Sequence, residues 1–258
     1  RQRRLFLMDK QQKEQEYFLA RIRSLFELCE RQGCPKFSDF LTEEQAAQIR
    51  PLAERSGLET LFWGGFEGAL RVMLGVFPDW MVPDPEEFPI VGCTFRYPAA
   101  YSLTHRDFLG SLMAQQIRRE MVGDIVVRPG ETYVFADKRV EKVLLTQLDR
   151  IGRVGVQIEK GTSANFQVIQ DFREIKGTLA SLRLDAAVAL CCGVSREKAS
   201  ALIGAGMVQK NHCPAENGSI QLADGDILTV RGKGKFRLET DGALTRKGRI
   251  AVRILQYL

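Results

Sequence analysis

His105, Arg106 and Asp107 have the types and order of the triplet that opens a protein-kinase catalytic loop, where the carboxylate accepts a proton from a substrate hydroxyl. That chemistry also needs an Asn to hold magnesium, and the position it would occupy holds Leu112. The glycine-rich phosphate loop, the strand lysine and the Asp-Phe-Gly triplet are also missing. Other reaction types fare no better. There is no Gly-x-Ser-x-Gly elbow, no Walker-type loop and no Gly-x-Gly-x-x-Gly after a strand, and Gly232-Lys233-Gly234-Lys235 is too short to cradle a phosphate in the Walker manner. Six cysteines contain no Cys-x-x-Cys pair, and with only two histidines no zinc spacing can be written. The expectation is a protein without catalytic residues, metal or cofactor, its cysteines being reduced thiols in the cytoplasm.

A structural role accounts for the triplet. Thr104 can cap the helix that follows, and Asp107, three residues on, can reach back to the cap amide. Leu109, Leu112, Met113 and Ile117 then form an apolar stripe, leaving His105, Arg106, Arg118 and Arg119 on the surface as candidates for a secondary contact with a partner.

The elements around it fall into three regions. Residues 11–31 read as an amphipathic helix burying Phe18, Ile22, Leu25, Phe26 and Cys29, and residues 38–55 as a second helix with a capping box at Thr42 and Gln45. A strand over 58–63 and a short helix over 67–76 follow. The middle alternates: a strand over 89–97, a helix over 104–120, strands over 124–128 and 132–136, a helix over 137–148 and a strand over 152–159. That pattern predicts helices on one face of a small split β-α-β sheet. After a polar joint over 160–165 comes an extended segment over 166–175. Short helices over 184–192 and 196–203, a strand over 207–210, a turn and strand up to Val230 and a closing hairpin of 235–239 with 249–258 complete the chain. The fold class is therefore α+β: a mainly helical region over 1–76, a central split β-α-β (ferredoxin-like) domain over 77–165, and a small C-terminal domain over 177–258. No apolar run reaches the ~18–20 residues of a membrane span, and no segment resembles a secretory signal.

Charge picks out the last third. Residues 177–258 hold 12 Lys and Arg against 7 Asp and Glu, so the whole net charge of +5 lies there. A local basic excess suits a phosphate-backbone binder. Within it, Ser195 is placed to cap a helix whose first turn carries Arg196 and Lys198. Cations are poorly placed at a helix N-terminus unless a phosphate docks on the free amides there.

The order Arg183-Leu184-Asp185, Ser195-Arg196, Ala199 with Leu202-Ile203, Gly206 with Val208, Asn211 and Gly225-Asp226 resembles the S-four RNA-binding module, named for the fourth small-subunit ribosomal protein. His212 stands where that pattern has Gly, so a different turn is expected. Upstream, Phe62-Trp63-Gly64-Gly65-Phe66, then Leu103 to Met113, Ile117-Arg118-Arg119-Glu120 and Val122-Gly123-Asp124-Ile125, with Arg231 to Leu238 downstream, resemble the bacterial YlmH family. The resemblance implies a non-enzymatic RNA-binding protein of the ribosome, partnered by rRNA and tRNA on the large subunit with peptidyl-tRNA, in quality control of stalled nascent chains. It does not imply a membrane or small-molecule partner. The family's RNA-contacting arginines correspond to Arg183 and Arg196, and the candidate interface comprises Arg183, Ser195, Arg196, Lys198, Lys210, Asn211, Lys233 and Lys235. The resemblance also implies a central domain similar to an RNA-recognition fold, but Gly123 to Pro129 (GDIVVRP) lacks the aromatic consensus of RNA-recognition motifs, so base stacking on the central sheet is not expected. An RNA-modifying enzyme carrying an S-four module, and a division-linked adaptor, are the alternatives; the first would need a catalytic Asp or cofactor loop that the sequence does not display.

Overall fold

The structure is a computed structural model describing residues 2–163, 166 and 172–257, with side chains from residue 12 onward. It is a mixed α and β chain with antiparallel sheets, in two compact units, Arg1–Val168 and Ile169–Leu258.

The first unit opens with helix α1 (Gln2–Gln32), which buries Ile22, Phe26 and Cys29 and half-buries Phe18 and Leu25, the stripe expected from spacing. Helix α2 (Glu43–Glu54) starts at Thr42, whose hydroxyl accepts from Gln45 N while the Gln45 side chain accepts from Thr42 N. Residues 38–41 lie outside that helix, a shorter element than expected. Both helices pack on a sheet of β1 (Lys36–Phe37), β2 (Glu59–Trp63) and β3 (Met73–Phe77), in the order β1-β3-β2. The helix expected over 67–76 is absent: Met73–Phe77 is a central strand with all five residues buried. Gly75 within it lets three rings close in, since a Cβ there would lie 2.7 Å from Phe88 and 2.8 Å from Phe77.

The central elements are β4 (Ile90–Arg96), α3 (His105–Ala114), β5 (Val122–Arg128), β6 (Glu131–Asp137), α4 (Glu141–Gln147), a small ribbon of β7 (Arg150–Ile151) and β8 (Val154–Gly155), and β9 (Gln157–Lys160). The four-stranded sheet has the order β5-β6-β4-β9, every neighbour antiparallel. This is a β-α-β-β-α-β arrangement whose first and third strands lie at the centre. Phe108 and Leu112 of α3 and Leu144 of α4 pack on the face made by Val91, Cys93, Phe95, Ile125, Val134 and Ala136. Helix α3 stops at Ala114, six residues short of the expected end; Gln116 takes a left-handed φ of 61°, and Arg119–Met121 is a separate 3-10 turn.

The second unit is a six-stranded antiparallel sheet with two helices on one face. Its elements are β10 (Phe172–Leu179), α5 (Leu184–Cys192), α6 (Arg196–Gly204), β11 (Val208–Lys210), β12 (Cys213–Pro214), β13 (Ile227–Val230), β14 (Gly234–Glu239) and β15 (Ile250–Tyr257). The order is β10-β15-β14-β13-β11-β12. The expected closing hairpin forms, with Phe236 opposite Gln256 and Glu239 opposite Arg253. Residues 172–175 of the expected extended segment form the start of β10; residues 167–171 lie outside the described residues. Leu184, Val188, Ala199 and Ile203 of the helices meet Leu228, Phe236, Leu238, Val252 and Ile254 of the sheet.

Candidate nucleic-acid interface

The two C-terminal helices are placed by local signals. Helix α5 ends at Gly193 (φ 62°), where Val194 N donates to Ala189 O at 3.0 Å and Gly193 N to Leu190 O at 3.3 Å, a left-handed glycine stop. Two residues later Ser195 begins α6, its hydroxyl accepting from Lys198 N at 3.2 Å. Gly206 (φ 69°) closes α6 in the same way. The short link brings the N-terminal ends of the two helices to one carboxylate.

That carboxylate is Asp185. Arg183 donates to it through Nε to Oδ1 (3.2 Å) and Nη2 to Oδ2 (2.9 Å), and Arg196 Nη2 donates to Oδ1 at 3.1 Å. The Asp185 side chain is 7% exposed, while those of Arg183 and Arg196 are 33% and 56% exposed. The acid therefore lies underneath and holds two guanidinium groups that face solvent. One buried negative charge serves two cations, and among the described residues the remaining guanidinium donors meet no other side chain. The Arg183 hydrogen bonds and the Arg196 contact hold the Asp185 carboxyl down at about 2. Lys198 is exposed in the same first turn. The cluster therefore presents preoriented planar donors, which can take phosphate oxygens, beside the start of α6; the first amides of α5 are already used, Leu184 N by the Ile220 carbonyl and Asp185 N by that of Gly218.

The other candidates divide. Lys210 Nζ donates to Asp226 Oδ2 (2.9 Å) and to the Gln221 carbonyl (3.0 Å), and Gln221 forms a bridge with Arg183, so Lys210 borders the cluster. Asn211 is a builder of its turn. Its Nδ2 donates to Asp226 Oδ1 at 2.7 Å, its Oδ1 accepts from Ile227 N at 2.8 Å, and its φ is 48°. His212 has a φ of 66°, so Asn211 and His212 form a tight two-residue turn in which both residues are left-handed, the second without the glycine of the S-four pattern. Lys233 is exposed in the turn between β13 and β14, and Lys235 lies on β14 with its Nζ 4.8 Å over the Tyr257 ring. Neither belongs to the helix-end cluster.

In the first unit the kinase-like triplet is a helix start. Asp107 Oδ2 accepts from Thr104 N (2.8 Å) and Thr104 Oγ1 (2.6 Å), which holds its pKa down. His105 and Arg106 are exposed beside it, and Arg118 is exposed and pairs with Glu120 at 3.5 Å. Arg119 is a frame residue: its Nη1 donates to Val122 O at 2.7 Å. Three residues assigned no role from sequence, Arg71, Asp39 and the motif residue Asp124, hold this unit together. Arg71 donates to the carbonyls of Val122, Phe40 and Arg119, and Asp124 accepts the amides of Leu70 (2.6 Å) and Arg71 (3.1 Å). Asp39 bridges Arg21 and Arg139 at 2.7 and 2.6 Å. Gly123 is where the Phe40 ring passes, 2.7 Å from where a Cβ would stand. The Val122-Gly123-Asp124 motif thus has a packing purpose.

The central sheet also carries aromatic rings, on the strand that follows Gly123–Pro129. Tyr133 and Phe135 on β6 point away from the helices, but both are buried. Phe66 lies 4.7 Å from Phe135, and Phe166 lies 4.6 Å from Tyr133 and 5.4 Å from Phe135, ring centre to ring centre. These rings cover the place where bases would stack. Among the described residues no cluster of three His, Cys, Asp or Glu could hold a metal, and no helix is long and apolar enough to cross a membrane.

Residues 83–165 match the family model described as "Putative RNA-binding domain in YlmH". Over 237 residues the chain is 27% identical to the ribosome-associated protein quality control protein P2 of Bacillus subtilis, covering 91% of this chain and 92% of that protein. Among solved structures, the cell division protein YlmH of Streptococcus pneumoniae matches with a TM-score of 0.51 and 25% identity, over 58% of this chain and 92% of that one. The resemblance to the YlmH family read from the sequence is thus borne out, in the central domain by the family model and along nearly the whole chain by its relative.

Proposed function

We propose that this protein is a non-enzymatic RNA-binding protein of the cytoplasm. It associates with the large ribosomal subunit carrying peptidyl-tRNA and acts in quality control of stalled nascent chains. The observation that carries the reading is the pair of solvent-facing guanidinium groups of Arg183 and Arg196 held on buried Asp185 at the start of two helices. Ser195 caps the start of α6 on the same side by accepting from the Lys198 amide, Lys198 is exposed beside it, and Lys210, paired with Asp226, borders the cluster. The relative named for ribosome-associated quality control supports the ribosome as partner, and the family model supports RNA as ligand.

The test is co-sedimentation with ribosomes. The Arg183→Ala, Arg196→Ala double variant stays in the supernatant at near-physiological salt while its circular dichroism remains that of the wild type. A folded double variant that pellets like the wild type refutes the assignment.

A second reading, a division-linked adaptor, draws on the name of the streptococcal structure. It predicts partner complexes that survive ribonuclease treatment, whereas ribosome association does not.

A further inference from the structure

The C-terminal sheet has a second face. Strict alternation sends Phe236, Leu238, Val252 and Ile254 to the helices, and the residues beside them in sequence to the opposite side. On that side Phe172 of β10 stands opposite Tyr257 of β15, and Tyr257 is followed across the sheet by Lys235 of β14. The two rings meet edge to face with centres 4.9 Å apart. Lys235 Nζ lies 4.8 Å from the centre of the Tyr257 ring, and the Arg237 guanidinium 5.6 Å from that of Phe172. Arg253 and Lys176 extend the basic strip along the same face, with Glu174 and Glu239 pairing among them. On this face of the three strands four cations stand against two acids.

We propose that this face binds single-stranded RNA, its bases stacking on Phe172 and Tyr257 and its phosphates meeting Lys235, Arg237 and Arg253. Aromatic rings interleaved with Lys and Arg on a sheet form the platform that single strands use, because every base has a π-face and every link a negative charge. Charge complementarity selects a polyanion, and the rings select one that carries bases. The platform differs from the helix-end cluster in position and in ligand: the cluster takes phosphates of folded RNA, and this face takes an unpaired strand. The proposal rests on the RNA-binding reading above only for the class of partner.

The experiment uses the full chain and a fluorescent 12-nucleotide oligouridylate in an anisotropy titration, with folded rRNA in parallel. Leucine replacements keep the apolar volume of the strands and remove the rings. The Phe172→Leu, Tyr257→Leu variant is expected to lose affinity for oligouridylate about tenfold or more, base stacking being worth roughly 1–3 kcal/mol per base, and to keep its affinity for folded rRNA. Arg183→Ala with Arg196→Ala is expected to show the converse. Failure of that second pair to weaken folded-RNA binding would count against the helix-end reading and leave this one standing. Absence of oligouridylate binding by the wild type, or binding unchanged in the leucine variant, overturns the proposal. So does equal binding of polyglutamate to the wild type with equal loss in the variant, which would make the face an acidic-protein surface.

Discussion

Asp185 is the residue on which the helix-end site depends. Its carboxyl is held at about 2, first by the Arg183 hydrogen bonds and then by Arg196, against an ordinary 3.8. A depressed carboxyl favours the folded state above the unfolded value and loses that contribution as pH falls through the folded one. The stabilisation, about 2 kcal/mol, is therefore present at neutral pH and disappears between roughly pH 4 and pH 2. Asp185→Asn flattens that part of the stability curve, and urea melts of both proteins at several pH values show it. The same substitution leaves two guanidinium groups without their anchor, so affinity for folded RNA falls even though net positive charge rises. A gain in affinity would mean that charge alone, not orientation, does the binding.

At the scale of elements, the turn between α5 and α6 sets the site. Gly193 sits at a φ of 62° with nothing within 4 Å of where a Cβ would stand, so any cost of a side chain there is conformational. Gly193→Ala is expected to lower stability by about 1 kcal/mol, read from the urea midpoint, with no change in oligomeric or secondary-structure content. These helices were legible because their signals are local: Ser195, Gly193 and Gly206 announce starts and stops within one turn. Strand β3 was not legible. Met73-Leu74-Gly75-Val76-Phe77 is buried on both sides, so it has no alternation to distinguish it from a buried helix, and only its neighbours β1 and β2 make it a strand. The end of α3 was likewise missed, because the left-handed Gln116 carries no glycine to mark it.

For the whole molecule, the charge distribution and the motif order both pointed to the second unit, where Arg183, Ser195, Arg196 and Lys198 lie at the starts of two successive helices. The partnership within the site was hidden, since Asp185 and Arg196 are eleven residues apart and only the fold joins them. Asp185 reads from sequence as a helix-dipole residue, and in the fold it anchors two arginines. The aromatic cover on the central sheet was hidden for the same reason: Phe66, Tyr133, Phe135 and Phe166 come from distant segments. Arg71 joins Phe40, Arg119 and Val122 in the Arg1–Val168 unit through three carbonyls. Arg71→Ala should cost that unit about 3 kcal/mol. Hydrogen exchange should show faster amides there and unchanged amides in the helices and sheet of Ile169–Leu258; uniform acceleration across both units would contradict this division of labour.

The most direct measurement is the salt dependence of binding to a folded rRNA fragment, for the wild type and for Arg183→Ala, Arg196→Ala. Each phosphate contact releases counterions, so a plot of log affinity against log salt is steep, and losing two contacts makes its slope shallower by about 2. The account predicts that change together with weaker binding. Parallel lines of equal slope would show that these two arginines do not meet phosphate.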